Sequence, residues 1–537
     1  MIGIILVPGG VRCFIFCPPI AEKRSELHIR RLMAALGYRV LLMGTQQYDA
    51  VIVGAGFGGI GAAIELTKLG YENIVIVDRL DGLGGTWRVN HYPGLSVDQP
   101  STTYSYWFEP NPYWSRLFAP GHEVQAYAEH VAEKYDVTRF MRFNTCVEGA
   151  QWDEDAKLWR TSLAGGETLT SQFLIVATGF LCQPKIPDIP GIETFAGHIV
   201  HTAEWDHDYS MAGRRAAVIG TGSTGIQVIP ELAKEVADLT VYQRTPILVT
   251  PKSDVVFPPV VQRMFARVPF TQRIVRWLTD NTTDFMMVLT MWRYRRFKFL
   301  NKAMAAQSAL HRRRAVRDRE LAEKMRPDFD FGCKRPSISN DYYPTFAKPN
   351  VHLVTEGIER IEPDGIVARD GTKREIDTLV LATGYDVWEG NLPAIEVIGR
   401  GGRNLGKWWR ETRFQAYQGM TAPQFPNFIN MSSPFSWVGL SWFNTVEYQT
   451  RHMNRLFSEV QRRRAQTFEV TEEANTAFYE RMMALLDNSV FHLGNCATSN
   501  SYWFNQTTGE APLFRPTSVR SAVKEQDHFP LSDYLIG

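Results

Sequence analysis

Tyr48-Asp49-Ala50-Val51-Ile52-Val53-Gly54-Ala55-Gly56-Phe57-Gly58-Gly59 decides the fold. Tyr48 to Val53 is a short apolar run, the pattern of a buried parallel strand. It leads straight into a G-x-G-x-x-G turn at Gly54, Gly56 and Gly59. Beyond the turn, Ile60, Ala63, Ile64, Leu66 and Leu69 recur at helical spacing, and Gly70 ends the helix. Ile74 to Val77 is the next strand and closes on Asp78, 24 positions after Gly54. A lone glycine motif is weak evidence. Set between strand and helix and followed by an acid at this distance, it predicts a dinucleotide site. The glycines let the backbone approach a pyrophosphate at the helix N-terminus, and Asp78 is placed to accept from a ribose hydroxyl.

The pattern then repeats. Arg215 to Ile219 is a strand, Gly220-Thr221-Gly222-Ser223-Thr224-Gly225 is a second G-x-G-x-x-G, and Ile226, Ile229, Leu232 and Ala233 line a helix. Leu239 to Gln243 is the following strand. Where an NAD protein carries an acid, this chain has Arg244-Thr245. A cation there fits a ribose 2′-phosphate, so the nicotinamide cofactor expected is NADPH. Two such units in one chain imply two dinucleotides and hydride transfer between them. The fold class expected is α/β, with two Rossmann-like dinucleotide-binding domains.

Apolar strands ending in A-T-G mark the domain exits: Phe173 to Gly179, followed by Pro184, Pro187 and Pro190, and Ile376 to Tyr385. They set the expected boundaries. Residues 1–46 are an extension, 47–194 the first part of the first domain, and 195–206 a linker. Residues 207–385 form the second domain with a helical insert at 260–330. Residues 386–537 return to the first domain. Met43 to Gln47, directly before a strand, makes a natural domain start. A short anchor or a structural arm is the other reading of the apolar N-terminus. Between Gln262 and Arg326 the insert carries sixteen Lys or Arg against five Asp or Glu, with Phe285, Met286, Met287, Met291 and Trp292 interleaved. We read it as an amphipathic insert with a solvated basic face; contact with a membrane surface or an apolar substrate is the alternative.

Composition excludes several classes. Lys plus Arg is 58 against 57 Asp plus Glu, so bulk charge points to no nucleic-acid partner. The six cysteines, Cys13, Cys17, Cys146, Cys182, Cys333 and Cys496, are scattered with no C-x-x-C. This argues against a disulfide framework, a zinc or other metal site and disulfide-reductase chemistry, and makes a cytoplasmic setting the default. No apolar run approaches the ~20 residues of a membrane-spanning helix. Monomer and homodimer are both compatible with the chain.

Between the two units lies Phe195-Ala196-Gly197-His198-Ile199-Val200-His201-Thr202-Ala203-Glu204-Trp205-Asp206. Its pattern, F-x-G-x-x-x-H-x-x-x-W-D at Phe195, Gly197, His201, Trp205 and Asp206, resembles the fingerprint of the Baeyer–Villiger monooxygenases. Those flavoproteins turn ketones into esters or lactones with NADPH and dioxygen. The resemblance extends over residues 47 to 515. Gly84-Gly85-Thr86-Trp87 is similar to the family segment that runs along FAD, which makes Thr86 and Trp87 flavin-site residues by implication. Asp98 and Tyr104 fall in the segment that lies near the flavin; capping a helix is the other reading of Asp98, and the two roles are compatible. The strand holding Val147 matches the one whose backbone meets adenine. Phe331-Gly332-Cys333-Lys334-Arg335-Pro336 resembles the segment carrying the catalytic arginine, here Arg335. The adjacent Lys334 would be a second cation on the 2′-phosphate. Trp442 matches a flavin-lining position or is core. Ser501 to Asn505 resembles a segment whose aromatic covers NADP, with Tyr502 and Trp503 both eligible.

The resemblance implies oxygen insertion beside a ketone carbonyl through a flavin peroxide, with Arg335 favouring its anionic form and Asp98 holding Arg335. Gly197 and His201 would keep the two domains in register. An amine- or sulfide-oxygenating flavin monooxygenase is the alternative, and Trp205-Asp206 with the Lys334-Arg335 pair favours the ketone reading. A non-catalytic nucleotide-sensing flavoprotein would keep the glycines and lose Arg335 and Asp98.

Overall fold

The computed structural model describes residues 47–537; the expected extension at 1–46 lies outside the described residues. Gln47–Val53 is the central strand of the first sheet, pairing in parallel with Ile74–Val77 on one side and Thr168–Val176 on the other. Its inward run Ala50 to Val53 is essentially water-free, as a strand covered on both faces requires. Val147–Asp153, Leu158–Leu163 and Thr168–Val176 form an antiparallel meander attached to this sheet.

The last third of the chain returns to the same sheet. Glu396–Ile398 pairs with Val147–Asp153, and Phe428–Asn430 pairs with the second half of Thr168–Val176. Helix Trp442–Arg463 buries Phe443, Val446, Met453, Leu456 and Phe457 on one face. Phe457 and Phe443 reach Phe173 and Phe57 at ring distances of 4.6 Å each. The first domain is thus built from two segments separated by the second domain.

The second domain has a five-stranded parallel sheet. Its order is Val351–Val354, Asp238–Tyr242, Arg215–Ile219, Thr378–Leu381, His198–His201. Here the structure corrects one expectation: the 195–206 stretch is no bare linker. His198–His201 is the edge strand of this sheet, in register with Thr378–Leu381. Phe195 and Trp205 are buried on either side of it. A Cβ on Gly197 would meet the Asp377 carbonyl oxygen at 2.4 Å, so glycine is needed for the strand to close on its neighbour.

The insert is helical, as Pro259–Arg267, Pro269–Met287, Tyr294–Ala315 and Arg319–Lys324. A second correction concerns cysteine. Cys333 and Cys496, 163 positions apart, form a disulfide. Neither belongs to a local motif, so only the tertiary fold brings them together. The bond ties the segment holding Lys334 and Arg335 to the C-terminal region. Among the described residues no cluster of His, Cys, Asp or Glu is arranged to hold a metal ion, and no helix is long and apolar enough to cross a membrane.

Candidate active site

Both glycine turns sit at the carboxyl ends of parallel strands, where the doubly wound fold leaves its binding crevice. Gly54 has φ +109°, and a Cβ there would strike the Ala177 carbonyl oxygen at 2.6 Å. The Asp78 carboxylate accepts from the Ala55 backbone N–H at 2.7 Å and from Leu80 at 2.9 Å, holding the turn against the second strand. Gly85, at φ +57°, would place a Cβ 3.0 Å from Gly56 Cα, so two backbones approach here with no side chain between them. Thr178 Oγ1, just past the Thr168–Val176 strand, is buried without a protein partner. A bare backbone cradle beside an unsatisfied hydroxyl fits a dinucleotide bound at this turn. Thr145 N–H donates to the Asp78 carbonyl at 2.9 Å, so the strand that opens at Val147 approaches the same end of the sheet.

The second turn is built alike. Gly220 has φ +111° and lies under the Ala382 carbonyl, and Gly225 packs on the Gly220 carbonyl. Gly222 faces open space, with no atom within 4 Å of where a Cβ would stand. Ser223 Oγ lies 3.5 Å from Ser337 Oγ, and Thr224 leads into helix Gly225–Glu235. Thr221 Oγ1 donates to the Thr245 carbonyl, and Thr245 Oγ1 accepts from Asn500 Nδ2 at 2.7 Å.

Lys334 comes to this end of the second domain as well. Burial, together with the nearby Arg244 guanidinium, brings its pKa down to about 8. Among the described residues no carboxylate pairs with either cation. Two like charges set together without a counter-ion are unfavourable alone and suit a dianionic phosphate.

The two domains meet at the segment between Tyr92 and Asp98. Tyr92 Oη donates to Gln227 Oε1 at 2.9 Å, and Gln227 Nε2 donates to the Ser96 carbonyl at 2.9 Å. Gly94 lies so close that a Cβ would meet the Gln227 carbonyl at 2.7 Å. Tyr385 Oη donates to Asn90 Oδ1 at 2.9 Å across the same seam. This clamp delivers Asp98 to Arg335. Arg335 Nε donates to Asp98 Oδ2 at 2.8 Å and Nη2 to Oδ1 at 2.6 Å, a fork-to-fork pair joining residues 237 positions apart. Burial works against the Arg335 charge, but the Asp98 carboxylate and Tyr502 outweigh it and hold its pKa above the ordinary arginine value. The guanidinium lies 5.7 Å from the Trp437 ring centroid.

Nearby, Trp87 Nε1 donates to Tyr104 Oη at 3.0 Å, and burial raises the Tyr104 pKa. Trp442 is half-buried at the start of its helix, edge-on to Phe180, which stacks on Trp437. A cavity of about 760 Å³ opens beside this group, lined by Trp87, Asn90, Tyr92, Arg116, Lys252 and Asp254 among others; Arg335 and Asp98 are not in its wall.

His201 stands apart. Its Nδ1 accepts from the Ala203 N–H at 3.1 Å, its ring meets Tyr385 edge-on at 6.3 Å, and burial lowers its pKa. Asp206 faces His198 at 3.5 Å. Two features of the site are not singled out by sequence. Trp437 follows a Ser-Ser-Pro stretch with no motif. Tyr502 and Trp503 are neighbours, and the structure separates them: Trp503 is 1% exposed in the core against Phe514, while Tyr502 stands by Arg335.

Two dinucleotide folds clamped together, with a fixed guanidinium at their junction, define a flavin- and nicotinamide-dependent oxidoreductase. A family model described as pyridine nucleotide-disulphide oxidoreductase matches residues 48–268. The chain is 33% identical to a Baeyer–Villiger monooxygenase of Streptomyces coelicolor, over 90% of this chain and 92% of that protein. It superposes on a closed crystal structure of cyclohexanone monooxygenase with a TM-score of 0.81 and 27% identity, covering 92% of this chain and 99% of the other. On a crystal structure of OTEMO in complex with FAD and NADP the TM-score is 0.80, with 27% identity and coverage of 92% and 100%. The chain belongs to the Baeyer–Villiger monooxygenase family. It is an FAD- and NADPH-dependent monooxygenase, and the amine- or sulfide-oxygenating alternative is not favoured.

Proposed function

We propose that this monooxygenase oxidises a ketone to an ester or lactone at a centre built on Arg335, with Asp98 as its positioning partner. The observation that carries the reading is the two-bond Arg335–Asp98 pair at the seam between the dinucleotide folds. Bound FAD and NADPH supply hydride transfer and the activation of dioxygen. A guanidinium stays protonated at any working pH, so Arg335 presents a constant positive field. In a partly desolvated setting that field stabilises negative charge developing on oxygen, as oxyanion-hole donors do. Asp98 takes up Nε and Nη2 and fixes the guanidinium plane, leaving Nη1 outside the pair. It has no need to exchange a proton. Arg335 is only 18% exposed, with the Trp437 ring 5.7 Å away and Tyr502 beside it, and this partial removal from water strengthens its field.

The same reading assigns the remaining roles. Gly54, Gly56, Gly59 and Asp78 hold the FAD pyrophosphate and ribose, with the Val147 strand toward adenine. Thr86, Trp87, Tyr104 and Trp442 lie on the flavin side. Gly220 to Gly225 receive the NADPH pyrophosphate, and Arg244, Thr245 and Lys334 take its 2′-phosphate. Phe195, Gly197, His201, Trp205 and Asp206 hold the second domain's edge strand and thereby the domain register.

Turnover with NADPH and isotopically labelled dioxygen against linear, cyclic and aryl ketones tests this, with products identified by mass. One labelled oxygen atom in an ester is the expected result. NADPH consumption yielding only hydrogen peroxide with every ketone, or only sulfoxide with sulfides, would overturn it.

A further inference from the structure

Helix Pro269–Met287 is inside out. Its polar side faces the protein: Gln272 donates to the Asn111 carbonyl at 2.6 Å and Arg276 to the Ser105 carbonyl at 3.0 Å. Thr279 Oγ1 lies 2.9 Å from Thr103 Oγ1, and Asp284 accepts from Val519 N–H at 3.0 Å. Large apolar side chains face out, beside the exposed Arg273, Asn281 and Thr282. Phe270 is 66% exposed, Trp277 63%, Phe285 61%, and Ile274 and Leu278 lie between them at helical spacing. The preceding helix Pro259–Arg267 adds exposed Val260 and Met264, with Val268 at the joint. A folded chain rarely exposes so many large apolar side chains on one face, and such a face marks an interaction site.

Charge says which partner. The exposed cations Arg263, Arg267 and Arg273 stand among these apolar side chains, and Arg293, Arg295 and Arg296 follow. From Val255 to Phe299 the only acids are Asp280 and Asp284. Asp280 pairs inward with Arg276 at 3.3 Å, and Asp284 is taken up by Val519. A second copy of the chain would bring arginine against arginine across a two-fold axis, which costs energy. An apolar face rimmed by cations is complementary to a bilayer interface with anionic headgroups: the rings and aliphatic chains enter the acyl boundary and the guanidinium groups stay among the phosphates.

We propose that helices Pro259–Arg267 and Pro269–Met287 dock this enzyme onto an anionic lipid bilayer. The inner side of Pro269–Met287 is bonded to residues 102 to 106, which run on from Asp98, and Ser441 at the head of helix Trp442–Arg463 donates to the Thr103 carbonyl at 3.2 Å. Docking would therefore set the bilayer against the wall of the first domain.

The test is flotation of the FAD-loaded full chain with vesicles of phosphatidylcholine alone and of phosphatidylcholine mixed with phosphatidylglycerol. The protein should float with the mixed vesicles, remain behind with the neutral ones, and be released by salt. The double substitution Phe270→Ser and Trp277→Ser should lower the bound fraction at least roughly tenfold, with FAD content and vesicle-free NADPH oxidation unchanged. Arg263→Gln with Arg273→Gln should lower it by several-fold. The proposal fails if neither vesicle type binds, if both bind equally, or if the double variant binds as well as the parent. It fails too if vesicle-free protein sediments as a dimer that the double substitution dissociates, since the face is then a self-interface.

Discussion

Arg335 illustrates how one residue acquires a role from its partners. An arginine beside a lysine before a proline is ordinary surface composition, and here both are drawn inward. Arg335 meets Asp98 through two bonds, and Lys334 meets Arg244 with no acid to separate them. The consequence for Lys334 can be measured. In the free enzyme its ammonium loses its proton as pH rises through about 8, because burial and Arg244 lower its pKa. A 2′-phosphate needs the charged form. NADPH affinity should therefore fall above pH 8, by up to roughly tenfold per pH unit, while NADH affinity stays flat. Binding titrations on the free enzyme check this, and Lys334→Met should remove the slope. Parallel slopes for the two nucleotides would separate Lys334 from the phosphate.

Among the elements, the Phe195–Asp206 stretch changes standing most. Its residues serve the sheet: the strand pairs with Thr378–Leu381, Phe195 and Trp205 pack beside it, and Gly197 admits the Asp377 carbonyl. Gly197→Ala should cost about 1–3 kcal/mol through that clash, with a fall in Tm of several degrees and weaker NADPH binding at unchanged FAD content. Loss of FAD with retained NADPH affinity would place the strain in the other domain. The glycine turns were legible in sequence because their signal is local: positive φ and close backbone approach demand glycine at fixed spacing. The edge strand was hidden because parallel pairing with a strand nearly 180 positions later leaves no local mark. The Cys333–Cys496 disulfide, across 163 positions, leaves no local mark for the same reason. Periodicity likewise reveals that Pro269–Met287 is amphipathic but not that its polar side faces inward, since direction depends on the bonds offered by residues 102 to 111.

Taken whole, the molecule is one flavin domain interrupted by one nicotinamide domain, with the interruption sealed by Tyr92, Gln227, Asn90 and Tyr385. The architecture was readable from two motifs and their spacing, whereas Trp437 and the choice of Tyr502 over Trp503 required the folded seam. Such a molecule must couple reducing equivalents entering at one domain to oxygen leaving in a product at the other. Our proposal places that coupling at Arg335, paired with Asp98 at the junction. The most direct measurement is the amount of ester formed per NADPH consumed, in the parent enzyme and in Arg335→Ala, with flavin reduction followed by its absorbance. Reduction by NADPH should persist in the variant while ester per NADPH falls on the order of a hundredfold or more, the consumed NADPH appearing as hydrogen peroxide. Ester yield per NADPH equal to that of the parent would contradict the role of Arg335.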